Sequence, residues 1–171
     1  MSYILITGGA SSGKSEFAMK MFESRDDVSF IATGIKTDLE MEKKIQNHQK
    51  KRPKSWETIE EPIDLISAIK KINQNNGALI IDCLTFWISN LLYYSRTKSE
   101  KIIELAMETA SFLKHQKKKS LVVTNEVGMG IIPHSEEVRF FRKIAGEVNQ
   151  IFAREADHVY FVISGIGMKL K

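Results

Sequence analysis

The sequence "ILITGGASSGKS", residues 4–15, decides the fold class. It contains the pattern G-x-x-x-x-G-K-[ST], after a short apolar run and before a segment of helical period. Strand, glycine-rich loop and helix in this order form an anion site, because the loop N–H groups and the positive end of the helix dipole face the same point. The motif predicts that a nucleoside triphosphate binds at Gly8, Gly9, Ala10, Ser11, Ser12, Gly13, Lys14 and Ser15.

Side chains near this loop suggest how the phosphates and a metal ion are held. Lys14 is expected to reach the β- and γ-phosphates, and Ser15 to bind Mg²⁺. Asp82 ends the apolar run "ALIIDC" (78–83) and is the candidate for the second Mg²⁺ ligand, although an aspartate there can also serve as a turn or helix cap. Asn125 and Glu126 end a later apolar run and are further candidates, because ligands bind at the carboxyl ends of parallel strands.

The pattern of the whole chain predicts an α/β fold, a mainly parallel sheet flanked by helices. Nearly continuous apolar runs rich in β-branched residues predict buried strands at 3–7, 28–33, 78–83, 120–125 and 158–164. Helical periodicity predicts helices at 14–23, 38–50, 63–72, 85–94, 100–115 and 135–156. Residues 51–61 predict a loop with one short strand near 56–59. We expect one P-loop nucleotide-binding domain over residues 1–171.

Composition restricts the class of protein and its partners. The length of 171 residues suits one domain, and the net charge is only +4. The basic runs at 43–54 and 114–119 lack interleaved aromatic residues, which favours a solvated face or a phosphate ligand over a nucleic acid. One cysteine, Cys83, excludes an intrachain disulfide. With an apolar N-terminal run too short for a signal peptide and no apolar stretch long enough to span a membrane, we expect a cytoplasmic protein.

His48 lies in the basic stretch "KKIQNHQKKRPKSW", residues 43–56. Its cationic neighbours would attract phosphates, and a neutral imidazole beside a bound triphosphate can attack phosphorus, so His48 is a candidate nucleophile. A surface histidine on an amphipathic helix is the alternative.

The chain lacks the N-K-x-D and D-x-x-G motifs of a regulatory GTPase and is too short for a motor protein. A small-molecule kinase or a nucleotidyl transferase remains.

Six stretches of the chain, in this order and spacing, resemble one enzyme family over nearly the whole length. They are "ILITGGASSGKS", "FIATG", "DLEMEKKIQNHQKKRPKSWETIEEP", "LIIDCLTFWISNLL", "VVTNEVGMGIIP" and "FRKIAGEVNQIFAREADHVYFVISGIGMKLK". The family is the bifunctional adenosylcobinamide kinase / adenosylcobinamide-phosphate guanylyltransferase of cobalamin biosynthesis. The resemblance implies a RecA-like P-loop domain that forms a homotrimer, with adenosylcobinamide, ATP and GTP as substrates.

The resemblance also implies a mechanism and a set of site residues. The kinase phosphorylates a hydroxyl of adenosylcobinamide, and the transferase moves GMP from GTP onto that phosphate through a guanylylated histidine. The family pattern around this histidine matches Lys44, Ile45, His48 and Arg52. Further nucleotide contacts carried over by the resemblance are Thr33, Gly34, Ile35, Gln49, Lys50, Lys51, Arg52, Glu60 and Asp82.

Glu60, the serines of the phosphate loop and the apolar segment after Asp82 each have more than one interpretation. We expect Glu60 to accept hydrogen bonds from guanine N1–H and the exocyclic amine, although ordinary loop acidity also explains a glutamate here. Ser11 and Ser12 stand where relatives often have an arginine, so one cation near the phosphates is absent. The apolar segment "LTFWISNLLYY" (84–94) is either core or a subunit interface. The alternatives to the bifunctional enzyme are a kinase alone, with His48 lining the site, and a nucleotide-binding regulatory module.

Overall fold

The computed structural model describes residues 3–72 and 77–171. Within these ranges the chain forms seven strands and six helices. The strands are β1 (Tyr3–Gly8), β2 (Val28–Ala32), β3 (Glu57–Glu60), β4 (Ala78–Asp82), β5 (Lys119–Val123), β6 (His158–Ile163) and β7 (Ile166–Lys169). The helices are α1 (Lys14–Met21), α2 (Leu39–Lys51), α3 (Leu65–Lys71), α4 (Leu84–Tyr93), α5 (Ser99–His115) and α6 (Glu136–Glu155).

The strands form one sheet in the order β3-β2-β4-β5-β1-β6-β7. All neighbouring pairs are parallel except β6 and β7, which are antiparallel. Val123 of β5 is in register with Asp82 of β4 and with Ile6 of β1. The carboxyl ends of β4, β5 and β1 therefore meet at one edge of the sheet, where the phosphate loop begins.

The predicted α/β fold is confirmed, and the five predicted strands all form. The short strand expected near 56–59 is β3, displaced by one residue. β7 was not predicted, because the sequence there has no strong apolar run and three of its four residues are exposed. It pairs through a tight turn in which Ser164 and Gly165 both have positive φ, at 51° and 80°.

Apolar side chains fill both faces of the sheet. Helices α3 to α6 cover one face, and α1 with Trp56 covers the other. Helix α4 belongs to this core: Trp87 is buried and its Nε1 donates to the carbonyl of Ile63 at 2.7 Å. Of the two roles left open for "LTFWISNLLYY", the core role holds for most of the segment, because its apolar face is buried within this chain and only Tyr93 and Tyr94 at its end are exposed.

Polar side chains cap three of the helices. Asp38 accepts from the N–H of Met41 at 2.8 Å, and Asp64 accepts from that of Ser67 at 3.0 Å. Ser135 caps α6, because its hydroxyl accepts from the N–H of Val138. In the two described ranges, no helix combines the length and the apolar character that a bilayer crossing requires.

Candidate active site

The phosphate loop has a backbone that only glycine allows at two positions. Gly8 has φ of 150°, and a Cβ there would lie 2.4 Å from the carbonyl oxygen of Val162. Gly13 has φ of 94° and precedes α1 as its N-cap. The turn between β6 and β7 supports the loop, since Gly165 N donates to the carbonyl of Ser12 at 2.8 Å. The hairpin that sequence reasoning missed therefore braces the phosphate site.

Lys14 lies over the loop and is only 6% exposed. Its Nζ donates to the carbonyl of Gly9 at 2.5 Å and to Ser12 Oγ at 3.4 Å. Burial lowers the pKa of Lys14, and the positive charge of Lys44 acts in the same direction, while Asp82 raises it. The ammonium group is thus partly desolvated and close to both a carboxylate and a second cation, as suits a site for a polyanion.

A cavity of about 310 Å³ joins the phosphate loop to helix α2. Its walls include Lys14 and Ser15 from α1, Asp82 at the end of β4, and His48 from α2. Lys44 and Lys51 of α2 also line it. The structure thus brings His48 and two lysines of the basic stretch to the same space as the phosphate loop.

The residues assigned to Mg²⁺ share this cavity. Ser15 offers a hydroxyl oxygen and Asp82 a carboxylate oxygen, both hard donors of the kind that Mg²⁺ prefers. Among residues 3–72 and 77–171 no group of three or more His, Cys, Asp or Glu side chains could hold a metal alone. A site of one or two protein oxygens completed by phosphates and water is the usual arrangement for Mg²⁺, and the donor set fits it.

A smaller cavity of about 60 Å³ adjoins the first. Both are lined by Lys44, His48, Asp82 and Phe86, so His48 lies where the two meet. The remaining walls are Ala32, Gly34, Met41, Ile45, Arg52 and Glu60. Phe86 was not identified from the sequence; an aromatic residue in the first turn after Asp82 is the signal that could have found it.

Arg52 brings an unsatisfied cation to the smaller cavity. Its guanidinium lies over the ring of Phe30, 3.8 Å from the centroid. Its Nε and Nη1 are buried without a hydrogen-bond partner in the part of the chain that the structure describes. Burial lowers the pKa of Arg52, while Asp82 and Glu60 raise it. The group therefore has donors free for an acceptor ligand.

Helix α2 is held at the site by two polar contacts. Lys51 forms an ion pair with Glu16 of α1, and Gln49 Nε2 donates to Glu60 Oε1 at 3.0 Å. The carboxylate of Glu60 therefore accepts from Gln49 and also acts electrostatically on Arg52. No residue of α2 is fully buried. These contacts and the packing of Ile45 near Gly34 set the position of His48.

The other predicted residues occupy different positions. Thr33 is fully buried, and its hydroxyl donates to the carbonyl of Cys83 at 2.7 Å and accepts from Cys83 N at 2.8 Å. It joins the ends of β2 and β4 beneath the site. Ile35 is half-buried after Gly34, and Lys50 is exposed on α2. Their nucleotide contacts stay predictions.

The two candidates that follow β5 diverge. Asn125 lines the cavity at the phosphate loop. Glu126 instead accepts from the N–H of Gly128 and lines a separate space of about 770 Å³ beside α6, together with Thr7 and Met129. Neighbouring residues of an extended chain point to opposite faces, so only one of the pair can face the loop.

Solved structures with similar folds agree with this architecture. A KaiC-like protein, PH0186, from Pyrococcus horikoshii OT3 matches with a TM-score of 0.55 at 15% identity, over 94% of this chain and 70% of that one. The structure of PH0250 from the same organism matches with a TM-score of 0.61 at 8% identity, over 99% of this chain and 86% of that one. At these identities the likeness concerns the fold alone.

Sequence relatives are much closer. A bifunctional adenosylcobalamin biosynthesis protein, CobU, of Escherichia coli (strain K12) is 40% identical, over 98% of this chain and 99% of the relative. CobU of Salmonella typhimurium is 39% identical over the same shares, and CobP of Pseudomonas aeruginosa is 36% identical over 98% of this chain and 96% of the relative. The sequence model of the family described as cobinamide kinase / cobinamide phosphate guanyltransferase matches residues 4–170. The chain therefore belongs to this family of bifunctional cobalamin-biosynthesis enzymes.

Proposed function

We propose that this protein catalyses two successive reactions on one corrinoid substrate. It phosphorylates adenosylcobinamide with ATP or GTP, and then transfers GMP from GTP to adenosylcobinamide phosphate, which gives adenosylcobinamide-GDP. The observation that carries the proposal is that His48 and the phosphate loop line one cavity. Membership of the family and the names of three relatives agree with it.

The kinase reaction requires positioning and charge neutralisation more than a protein nucleophile. The loop N–H groups and Lys14 bind the β- and γ-phosphates, and the substrate hydroxyl attacks the γ-phosphorus. Ser15 and Asp82 would hold Mg²⁺, which neutralises charge on the β- and γ-phosphates when it is bound. The burial of Lys14 strengthens its interaction with the phosphates, because electrostatic attraction grows as water is excluded.

The transferase reaction breaks a bond at the α-phosphorus and needs a nucleophile. A ring nitrogen of neutral His48 attacks the α-phosphorus, the bond to the β-phosphate oxygen breaks, and pyrophosphate leaves with that electron pair. A phosphate oxygen of the corrinoid then attacks the same phosphorus. The P–N bond breaks, neutral imidazole is restored, and the product carries the new diphosphate. Lys44 and Lys51 balance the charge of the two anions, since both line the cavity beside His48.

The smaller cavity is our candidate for recognition of the guanine end of GTP. Glu60 offers carboxylate oxygens to the N1–H and exocyclic amine of guanine, a pair of donors that adenine lacks. One oxygen accepts from Gln49 in the ligand-free chain. Guanine would therefore displace Gln49 from that oxygen or share the carboxylate with it. Arg52 has two free donors nearby for the base or the ribose.

We also propose a cytoplasmic homotrimer. Exposed apolar residues that an assembly would cover occur around the loop 128–133, where Met129 is 79% and Ile131 96% exposed. Apolar residues this exposed and this close together favour a protein contact. The relatives are biosynthetic enzymes by name, which agrees with a location where nucleotides and corrinoid substrates are available.

The deciding experiment incubates the protein with GTP and Mg²⁺ without any corrinoid. GTP labelled at the α-phosphate should leave covalent label on the protein in a denaturing gel, and GTP labelled at the γ-phosphate should not. A phosphoramidate bond survives base and breaks in mild acid, unlike a serine or threonine ester. If the wild-type protein never takes up α-label, the transferase mechanism is wrong and a kinase without guanylyl transfer takes its place.

A further inference from the structure

Asn125 lies at the carboxyl edge of the sheet between the phosphate loop and Asp82. It lies two residues after Val123, which is in register with Ile6 of β1 and Asp82 of β4. The next residue, Glu126, donates its N–H to the carbonyl of Gly8 at 2.9 Å. Asn125 is thus held level with the first residue of the loop and lines the cavity with Lys14 and Ser15.

Side chains, not a neighbouring strand, bind both main-chain polar groups of Asn125. Its N–H donates to Thr85 Oγ1 at 2.7 Å, and its carbonyl accepts from Asn149 Nδ2 at 3.0 Å. Thr124 connects these two side chains, because its hydroxyl donates to Asn149 Oδ1 at 2.7 Å and lies 3.4 Å from Thr85 Oγ1.

The hydroxyl protons assign a direction to this ring of hydrogen bonds. Thr124 has one hydroxyl proton, and it is used on Asn149, so Thr85 must donate in its contact with Thr124. Thr85 can then accept from Asn125 N–H. The bonds run from Asn125 through Thr85 and Thr124 to Asn149 and back to Asn125.

The ring is costly to bury unless every member is bonded. Thr124 is fully buried and Asn149 is 9% exposed. Buried polar groups that lack partners destabilise a fold, whereas a fully satisfied network holds one geometry. Thr85 of α4 and Asn149 of α6 thus hold the backbone of Asn125 at the edge of the phosphate cavity, and Thr124, just after β5, links the two.

The side-chain amide of Asn125 has no hydrogen-bond partner among the residues that the structure describes. An asparagine that only shaped the turn after β5 would bond its own side chain to nearby backbone, as in an Asx turn. Here the side chains of Thr85 and Asn149 bond the backbone instead, and Asn125 lines the cavity with its amide unbonded. An amide N–H can donate to a phosphate oxygen without adding a charge to a site that already contains several lysines.

We infer that Asn125 donates its side-chain amide to the terminal phosphate of the bound triphosphate, and that Thr85 and Asn149 position it. The inference rests on the proposed function, because it needs the triphosphate to bind at the loop. Lys14, Ser15 and Asp82 would hold the β- and γ-phosphates, and Asn125 lies beside these three. His48 lines the cavity on the side of α2. The α-phosphate must lie on that side if His48 is to attack it.

The test compares the binding of two nucleotides to variants. Affinity for the non-hydrolysable β,γ-imido analogue of GTP, with Mg²⁺, and affinity for GDP are measured by calorimetry. In Asn125→Ala the preference for the triphosphate analogue over GDP should fall by about ten-fold or more, the usual worth of a hydrogen bond to a charged group. GDP affinity should be unchanged. Gln150→Ala, an exposed amide on α6 beyond this ring, is the matched control and should keep the wild-type preference.

A second pair of variants tests the positioning role. Thr85→Val retains the shape but removes the acceptor of the Asn125 N–H, so the same preference should fall by a smaller factor. Thr85→Ser should restore it. Equal losses for both nucleotides in Asn125→Ala, or no loss for either, would overturn the inference. If the preference depends on Asn125 but the wild type takes up no α-label, the transferase proposal fails and the Asn125 contact stands. If the wild type takes up α-label but the preference does not depend on Asn125, only the Asn125 contact is refuted.

Discussion

His48 of α2 and Lys14 of the phosphate loop line the same cavity. Lys44 lines this cavity and the smaller one beside it, as His48 does. Burial lowers the pKa of Lys14, and the positive charge of Lys44 adds to that effect. A histidine in this position can reach a phosphate chain that the loop has bound. In the proposed mechanism the two residues have different roles, because Lys14 holds the triphosphate in both reactions and His48 attacks only its α-phosphorus.

The first prediction separates the two reactions at His48. His48→Ala should lower guanylyl transfer and α-label uptake by more than about 10³-fold, as the loss of a nucleophile does. Kinase activity should persist, because the substrate hydroxyl is the nucleophile in that step. His115→Ala is the matched control, since His115 is exposed at the end of α5. Continued labelling of the His48 variant would exclude His48 as the nucleophile.

Lys14→Ala should abolish both reactions, each by more than about 100-fold, because it removes a desolvated cation from bound phosphates. Nucleotide affinity, kinase rate and label uptake are measured together. Lys20→Ala removes an exposed lysine from the same helix and should leave all three unchanged. A near wild-type kinase rate without Lys14 would contradict the phosphate-loop assignment.

Asp82→Asn tests the metal assignment. The amide retains the shape of the carboxylate but not its charge, so the Mg²⁺ concentration at half-maximal kinase activity should rise by about ten-fold or more. Excess Mg²⁺ should partly restore the rate, which it should not do for Lys14→Ala. A variant with wild-type Mg²⁺ dependence would exclude Asp82 as a metal ligand.

Cys83 should be unreactive in the folded protein. Burial raises the pKa of its thiol to about 12, and the negative charge of Asp82 acts in the same direction. Only about one thiol in ten thousand is then ionised at pH 8, and the thiolate is the reactive form. Ellman's reagent at pH 8 should detect no thiol in the native enzyme and one per chain in guanidinium. Rapid native labelling would show that the site opens around Asp82.

Assembly provides the last prediction. Sedimentation velocity at micromolar concentration should find a trimer, and Ile131→Asp should shift it toward monomer, because a charge replaces a fully exposed apolar side chain in the loop 128–133. Arg142 bonds to the carbonyls of Gly128 and Ile131, so this loop presents its apolar side chains from a fixed backbone. Glu108→Ala, on α5, is the control. A wild-type monomer would refute the trimer.

Much of the fold could be predicted because its signals are local. The glycine spacing of residues 8–15 specifies a tight loop whose backbone N–H groups can bind an anion, and its place after an apolar strand specifies the sheet edge. Runs of β-branched residues marked the parallel strands in the same way. β7 could not be predicted, since its residues are mostly exposed and its pairing depends on the position of β6.

The sequence by itself determined the phosphate loop, the parallel sheet and Asp82 as a residue at its carboxyl edge, because each depends on contiguous residues. Only the tertiary structure decided that His48 and Asn125 line one cavity with the phosphate loop, that Glu126 lines a different cavity, and that α4 is core. These outcomes depend on strand register and on which helix packs on which face. Such contacts join residues far apart in the chain, and no local pattern encodes their geometry.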